Sequence, residues 1–155
     1  MKSEAEYRTF LSEHPVSECS CEKCVKMCKS RVCWGTPEDI QKLIDKKPET
    51  IDRLMIDWWC DGDDGGDIEI ICPAFIGYEK TYAPSWPSGR CAFLDNNDRC
   101  EIHALKPTEG KTASCKGSKS SYPVHEAVAM LWNTDAGRGL VDSIREMWRG
   151  SEVEE

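Results

Sequence analysis

No stretch of this sequence approaches the run of about 20 apolar residues that a transmembrane helix requires. Residues 1–14 are charged and lack the apolar stretch of a secretory signal peptide. Internal repeats are also absent. These absences predict a cytoplasmic protein that does not enter membranes, and the 155 residues fit one domain of ordinary size.

The sequence has little that would bind nucleic acid. Its formal net charge is −8, and the locally basic residues 106–120 contain no aromatic side chain that could stack on bases. A solvated loop is the favoured interpretation of that segment, and nucleic acid is disfavoured as a partner. A metal ion is the predicted partner, and a protein partner is left open.

Motifs for familiar enzyme chemistry are also missing. No glycine-rich phosphate-binding loop is present, and no nucleophile motif surrounds any of the three histidines. His125 is expected to be an ordinary residue on a helix surface. The sequence does not decide whether the protein is an enzyme.

Cysteine, by contrast, is abundant, with ten residues in the chain. In a reducing compartment, closely spaced cysteines mark metal or redox sites more often than disulfides. The densest group has the spacing Cys21-x2-Cys24-x3-Cys28-x4-Cys33. Such short separations let four thiolates converge with little loss of chain entropy. The charged residues between them keep this segment at the surface, so burial in a core does not explain these cysteines.

A regular helix over residues 21–28 would separate Cys21 from Cys28 by about 10 Å along its axis. The sulfur ligands of a tetrahedral zinc site lie only about 3.8 Å apart. Either the helix breaks, or the run contributes to two sites. The second half of the chain offers four further candidate ligands: Cys72, Cys91, Cys100 and His103. The spacing Cys100-x2-His103 is ordinary for metal ligands.

The spacing of apolar residues predicts more helix than strand. Helices are expected over residues 1–13, after the capping residue Thr36, over residues 51–58, and in two C-terminal segments that begin at Pro123 and Asp135. Trp34 follows Cys33 directly and is expected to shield a metal site from water.

A short strand is predicted over residues 68–72, and a β-hairpin is predicted from residues 91–94 and 99–103. The expected fold is a small, irregular, mostly helical α+β single domain with a short β-hairpin, organised around cysteine-rich metal sites. Residues 1–18 are expected to form an N-terminal helical arm. Residues 19–150 are expected to form the metal-binding domain with its C-terminal helices.

Four segments follow the cysteine run in order: residues 34–40 (WGTPEDI), 89–94 (GRCAFL), 99–103 (RCEIH) and 106–107 (KP). This order, over residues 21 to about 115, resembles the YkgJ-type cysteine-cluster proteins, a family described as zinc- or iron-chelating. The resemblance implies six metal ligands: Cys21, Cys24, Cys28, Cys33, Cys91 and Cys100. Cys72 and His103 are added here from their residue types and spacing. The sequence departs from the family pattern where Cys28 and Cys33 replace adjacent cysteines, and in the position of Cys115.

Eight candidate ligands suit two four-ligand sites, although one site with several ordinary thiols fits nearly as well. Three further cysteines are interpreted as free thiols or as groups around the ligands: Cys19, Cys60 and Cys115. Thiolates bind both zinc and iron–sulfur clusters, so Zn²⁺ is only slightly favoured over a [4Fe–4S] or other cluster. The predicted function is zinc or iron binding, and the alternative is an iron–sulfur redox or methyltransferase-type enzyme component.

Overall fold

A computed structural model describes residues 3–13, 32–60, 67–84, 89–97, 99–102, 105, 107–109 and 121–153. Its helices are α1 (Glu4–Ser12), α2 (Pro37–Lys46), the 3-10 helix η1 (Pro48–Arg53), α3 (Ser121–Trp132) and α4 (Asp135–Val153). Its strands are β1 (Leu54–Cys60) and β2 (Asp67–Pro73), which pair antiparallel with Leu54 opposite Pro73 and Cys60 opposite Asp67. In the described ranges, four α-helices, one 3-10 helix and one strand pair make the small α+β single domain that the sequence predicts.

The start of α2 is set by its own side chains. The Thr36 hydroxyl accepts the backbone N–H of Asp39 at 3.1 Å, and the Asp39 carboxylate accepts the N–H of Thr36 at 3.0 Å. Pro37 occupies the first turn, where no intrahelical N–H partner is needed. The predicted start of this helix is confirmed, as are the helices near the N-terminus and in the C-terminal part of the chain.

The prediction of a helix over residues 51–58 is wrong. The 3-10 helix η1 ends at Arg53, and β1 begins at Leu54. Leu54, Met55 and Ile56 are all buried in the hydrophobic core, and the backbone of β1 bonds to β2 along one edge and to residues 80–83 along the other. A strand that is covered all round has a continuous apolar run, which periodicity alone does not distinguish from a buried helix.

The predicted hairpin over residues 91–103 has its turn but not its strands, as far as its described residues 91–97 and 99–102 go. The turn is present, since the Asp95 N–H donates to the Arg99 carbonyl at 2.9 Å, but only an isolated bridge joins Leu94 to Cys100. The preceding residues bond elsewhere, with the Ala92 N–H donating to the Ala74 carbonyl at 2.8 Å. Pairing with the chain after β2 therefore divides the hydrogen bonds that a longer hairpin would need.

The core lies between the strand pair and the helices. β2 contacts α2, α3 and α4, and the largest fully buried side chains come from all of these elements: Ile40, Leu43, Leu54, Met55, Ile56, Ile70, Ile71, Phe93, Val128, Leu131, Trp132 and Ile144. Helix α1 packs on α3 through Tyr7, which is buried with Ala127 and Leu131. Within the described ranges, no helix has both the length and the apolar character needed to cross a membrane.

Gly35 lies where three parts of the chain meet. Its carbonyl accepts the indole N–H of Trp132 at 2.8 Å, and a Cβ atom at Gly35 would lie 2.7 Å from the Cβ of Pro107. A Cβ atom at Gly139 in α4 would meet nothing within 4 Å.

We expect Gly35→Ala to lower the free energy of unfolding by about 1–3 kcal/mol, because the added methyl group overpacks this junction. The matched control Gly139→Ala should raise it by about 0.5–1 kcal/mol, since alanine reduces the backbone entropy lost in a helix. Urea unfolding of both variants in one buffer measures the effects. A Gly35→Ala protein as stable as the wild type would contradict the close packing of Gly35 on Pro107.

Candidate functional site

Four of the eight predicted ligands lie in the described part of the chain, and the structure places them as thiols: Cys33, Cys72, Cys91 and Cys100. Cys72 and Cys91 are buried, and Cys33 and Cys100 are partly buried. The other four predicted ligands lie outside the described residues: Cys21, Cys24, Cys28 and His103. Cys19 and Cys115 also lie outside them.

Cys33 and Cys91 both lie close enough to Cys72, in β2, to influence its ionisation. Cys72 is fully buried, and this desolvation raises the pKa of its thiol well above the ordinary value. The charges of Asp57, Glu109, Cys91 and Cys33 raise that pKa further. Cysteines from three distant parts of the sequence therefore lie within electrostatic range of one point in the core, together with two carboxylates.

A complete metal shell is not assembled from the described residues alone. Across the ranges that the structure describes, no group of three or more His, Cys, Asp or Glu side chains is close enough to hold a metal ion. Cys33 and Cys91 influence the ionisation of Cys72. Donors from outside the described residues would be needed to complete a metal site.

Next to these thiols lies a cluster of rings and carboxylates centred on the buried Trp34. The Trp34 indole N–H donates to the Asp57 carboxylate at 3.1 Å. Its backbone N–H donates to Oε1 of Glu109 at 2.8 Å, and its carbonyl accepts the Glu109 N–H at 2.9 Å. Strand β1 and the segment 107–109 thus both hold the residue that follows Cys33.

His125, on α3, completes this arrangement. Its Nδ1 forms a short hydrogen bond with Oε2 of Glu109, and its ring stacks on Trp34 with centroids 3.8 Å apart and planes at 21°. Trp59 meets the same imidazole edge-on, with centroids 5.3 Å apart. We call Trp34, Asp57, Trp59, Glu109 and His125 the Trp34 cluster.

Asp57 places a buried carboxyl group with a raised pKa in the Trp34 cluster. Desolvation by burial raises the pKa of Asp57, while the N–H groups of Trp58 and Trp34 lower it by donating to the carboxylate. The charge of His125 also lowers this pKa, and that of Glu109 raises it. Every buried side-chain nitrogen and oxygen atom in the described part of the chain has a hydrogen-bond partner. The cost at Asp57 is therefore one of desolvated charge, and a nearby cation would reduce it.

The capping residue of α2 also positions Glu109. Oδ2 of Asp39 accepts the Thr108 N–H at 2.9 Å and the Thr108 hydroxyl, in addition to the N–H of Thr36. These bonds hold the segment 107–109 against the start of α2, which leaves Glu109 between Trp34 and His125. A local helix cap is thus also a long-range anchor for the Trp34 cluster.

Most of the Trp34 cluster was not predictable from sequence motifs. The expectation that His125 is an ordinary helix-surface residue is wrong, because Glu109, Trp34 and Trp59 all hold its ring. Asp57 lay in a segment expected to be helical. The residue of this cluster that the sequence singled out is Trp34, an aromatic residue directly after a cysteine. Its partners could not be identified from the sequence because they are 23 or more residues away.

Replacing Asp57 tests the charge in this cluster. A carboxyl group whose pKa is raised by folding favours the folded state below its ordinary pKa of about 4, and that contribution is lost as pH rises through the raised value. Asp57→Asn removes the ionisable group. The unfolding free energy of the variant minus that of the wild type should therefore increase as pH rises from about 4 to 7.

Urea unfolding at several pH values, with metal content held constant, measures this difference between Asp57→Asn and the wild type. The change of this difference with pH is informative even though the amide has one acceptor oxygen fewer, because losing that acceptor lowers the unfolding free energy by the same amount at every pH. Asp142→Asn, an exposed carboxylate on α4, controls for removing one negative charge. A difference between Asp57→Asn and the wild type that stays flat with pH would contradict a desolvated Asp57.

No family model, curated protein or solved structure matches this chain. The resemblance to the YkgJ-type proteins therefore stays a prediction from the sequence motifs. The function has to be inferred from the chemistry of the thiols and of the Trp34 cluster beside them.

Proposed function

We propose that this protein binds zinc through its cysteines in the cytoplasm, with Cys33, Cys72 and Cys91 among the ligands. The observation that supports this proposal is the electrostatic influence of Cys33 and Cys91 on the buried Cys72, whose thiol pKa both of them raise. They lie before α2, in β2, and in the chain that bonds to the segment after β2. No local motif accounts for such a gathering of thiols.

The donor set suits a soft divalent metal. Thiolates are the ligands that zinc and iron prefer over oxygen donors in such sites. Cys72 would lose its proton on binding, and the bound cation would offset the charges of Asp57 and Glu109. The same negative charges that disfavour a bare thiolate would therefore favour a metal–thiolate complex.

The remaining ligands are proposed from the sequence: Cys21, Cys24, Cys28, Cys100 and His103. Zinc held between the segments of Cys33, Cys72 and Cys91 would contribute binding free energy to folding, as in other structural zinc sites. An iron–sulfur cluster in the same ligands is the alternative identity of the metal centre.

The test is elemental analysis with a visible spectrum on full-length protein purified without oxygen. We expect about one or two zinc ions per chain and no colour. Cys33→Ala and Cys91→Ala should each weaken zinc binding by at least about tenfold in competition with a chromophoric chelator, because each removes a ligand. Cys115→Ala is the matched control and should bind zinc as the wild type does.

Circular dichroism of each variant separates lost ligation from lost folding. A wild-type protein with its native spectrum and no bound metal would refute the proposal. Iron with acid-labile sulfide, and an absorbance bleached by dithionite, would replace zinc with an iron–sulfur cluster and direct attention to redox chemistry.

A further inference from the structure

Four aromatic rings run from the core to the surface across β1. Trp34, directly after Cys33, meets Trp59 edge-on, with ring centroids 6.4 Å apart and planes at 76°. Trp58, the neighbour of Trp59 in the sequence, stacks on Tyr82 with centroids 5.1 Å apart and planes at 5°. Trp34 is 5% exposed and Tyr82 is 43% exposed. We propose that these four rings, which we call the aromatic path, carry a one-electron oxidising equivalent from the neighbourhood of Cys33 to the surface at Tyr82.

Strand β1 joins the two halves of the aromatic path. Successive side chains of a strand point to opposite faces, so Trp58 and Trp59 lie on opposite faces of β1 and are linked through one peptide unit. Tyr82 reaches Trp58 because its segment runs along the edge of β1, where it forms a parallel bridge with Ile56. Electron transfer slows exponentially with distance, so several short steps across the strand are faster than one long step.

The inner end of the path has a proton acceptor. Oxidation of an indole gives a radical cation whose N–H proton is strongly acidic. The indole N–H of Trp34 already donates to the Asp57 carboxylate at 3.1 Å. Desolvation by burial raises the pKa of Asp57, which makes this carboxylate a stronger base than an exposed one. The proton therefore has an acceptor within the core, and it returns to Trp34 when the ring regains its electron.

The outer end of the path has a proton acceptor as well. The Tyr82 hydroxyl donates to Oε2 of Glu69 at 3.4 Å and accepts from Nη2 of Arg145 at 3.2 Å. The same guanidinium pairs with Glu69 at 2.5 Å, so one residue of α4 holds both groups. A phenol that loses an electron becomes strongly acidic, so its proton passes to Glu69 and a neutral phenoxyl radical remains. This neutral radical is more stable than an indole radical cation, so the oxidising equivalent collects at Tyr82.

The electrons and protons of the sequence balance. A one-electron oxidant, such as a small inorganic radical, takes one electron from Trp34, and one electron then moves along the path from Tyr82 to restore it. The net change is that the oxidant gains an electron, while Tyr82 loses one electron and gives its O–H proton to Glu69. A soluble thiol or enediol reductant returns the electron at the surface, and the proton goes back to Tyr82.

The consequence concerns the thiol beside Trp34. Cys33 is partly buried and directly precedes the innermost ring of the path. An oxidising equivalent that leaves Trp34 for the surface does not remain to attack this sulfur, whose higher oxidation states are irreversible. This activity goes beyond zinc binding and requires no bound metal.

The test is laser photoionisation of the full-length protein, which removes electrons from buried and exposed tryptophans alike. We expect the absorbance of the tryptophan radical to decay while that of the phenoxyl radical grows, at a rate independent of protein concentration. Tyr82→Phe should abolish this growth, because it removes the terminal phenol. Tyr78→Phe is the matched control and should retain it, because Tyr78 is 38% exposed but has no ring contact in the described part of the chain.

Trp59→Phe tests the inner step, because phenylalanine keeps an aromatic ring that is far harder to oxidise. Phenoxyl growth should fall in this variant, and peptide mapping by mass spectrometry should find more oxidised Trp34 than in the wild type. Trp148→Phe removes a tryptophan of α4 outside the path and should leave the oxidation of Trp34 unchanged. Equal oxidation of Trp34 in Trp59→Phe and in the wild type would overturn the inner step.

A spin trap with mass spectrometry locates the radical in the wild-type protein, so the inference stays falsifiable even where a variant does not fold. The adduct is expected on Tyr82. Equal adducts on Tyr78 and Tyr82, or phenoxyl growth that survives Tyr82→Phe, would overturn the aromatic path. Neither result would change the zinc content, so this failure is distinguishable from failure of the proposed zinc binding.

Discussion

The anchoring of Trp34 is the interaction on which this structure depends. Its indole bonds to β1 and stacks on α3, and its backbone exchanges two hydrogen bonds with Glu109. Trp34 is 5% exposed, so its aromatic surface also contributes to the core. One residue thereby joins a strand, a helix and the segment 107–109, and it does so directly after a cysteine.

Burial of polar groups around Trp34 makes this anchor both specific and costly. A desolvated carboxylate at Asp57 opposes folding when it is ionised, although its oxygens accept two N–H groups. An apolar residue would avoid that cost. Retaining a buried acid beside a thiol with a raised pKa is physically consistent with a region that is completed by a cation, as the proposed zinc binding requires.

The sequence predicted those parts of the fold that have local causes. Thr36 identified the start of α2, because capping chemistry is contained within a few residues, and Asp135 identified the start of α4 as an acid in its first turn. The prediction from sequence was wrong at residues 54–58. The strand there is buried, so its sequence lacks the alternation of apolar and polar residues that identifies a half-exposed strand. The cysteines were predictable as candidates from their spacing. The contacts of His125 were not, because they depend on tertiary packing between residues that are 16 to 91 positions apart.

The wide sequence separation within the Trp34 cluster has a consequence for biosynthesis. Residues 34, 57, 109 and 125 meet only when nearly the whole domain has folded, and such long-range contacts form late. A chain emerging from the ribosome exposes Cys33 well before α3 can reach it. During that interval the Cys33 thiol is fully open to oxidation, and this exposure ends only when α3 has docked against Trp34.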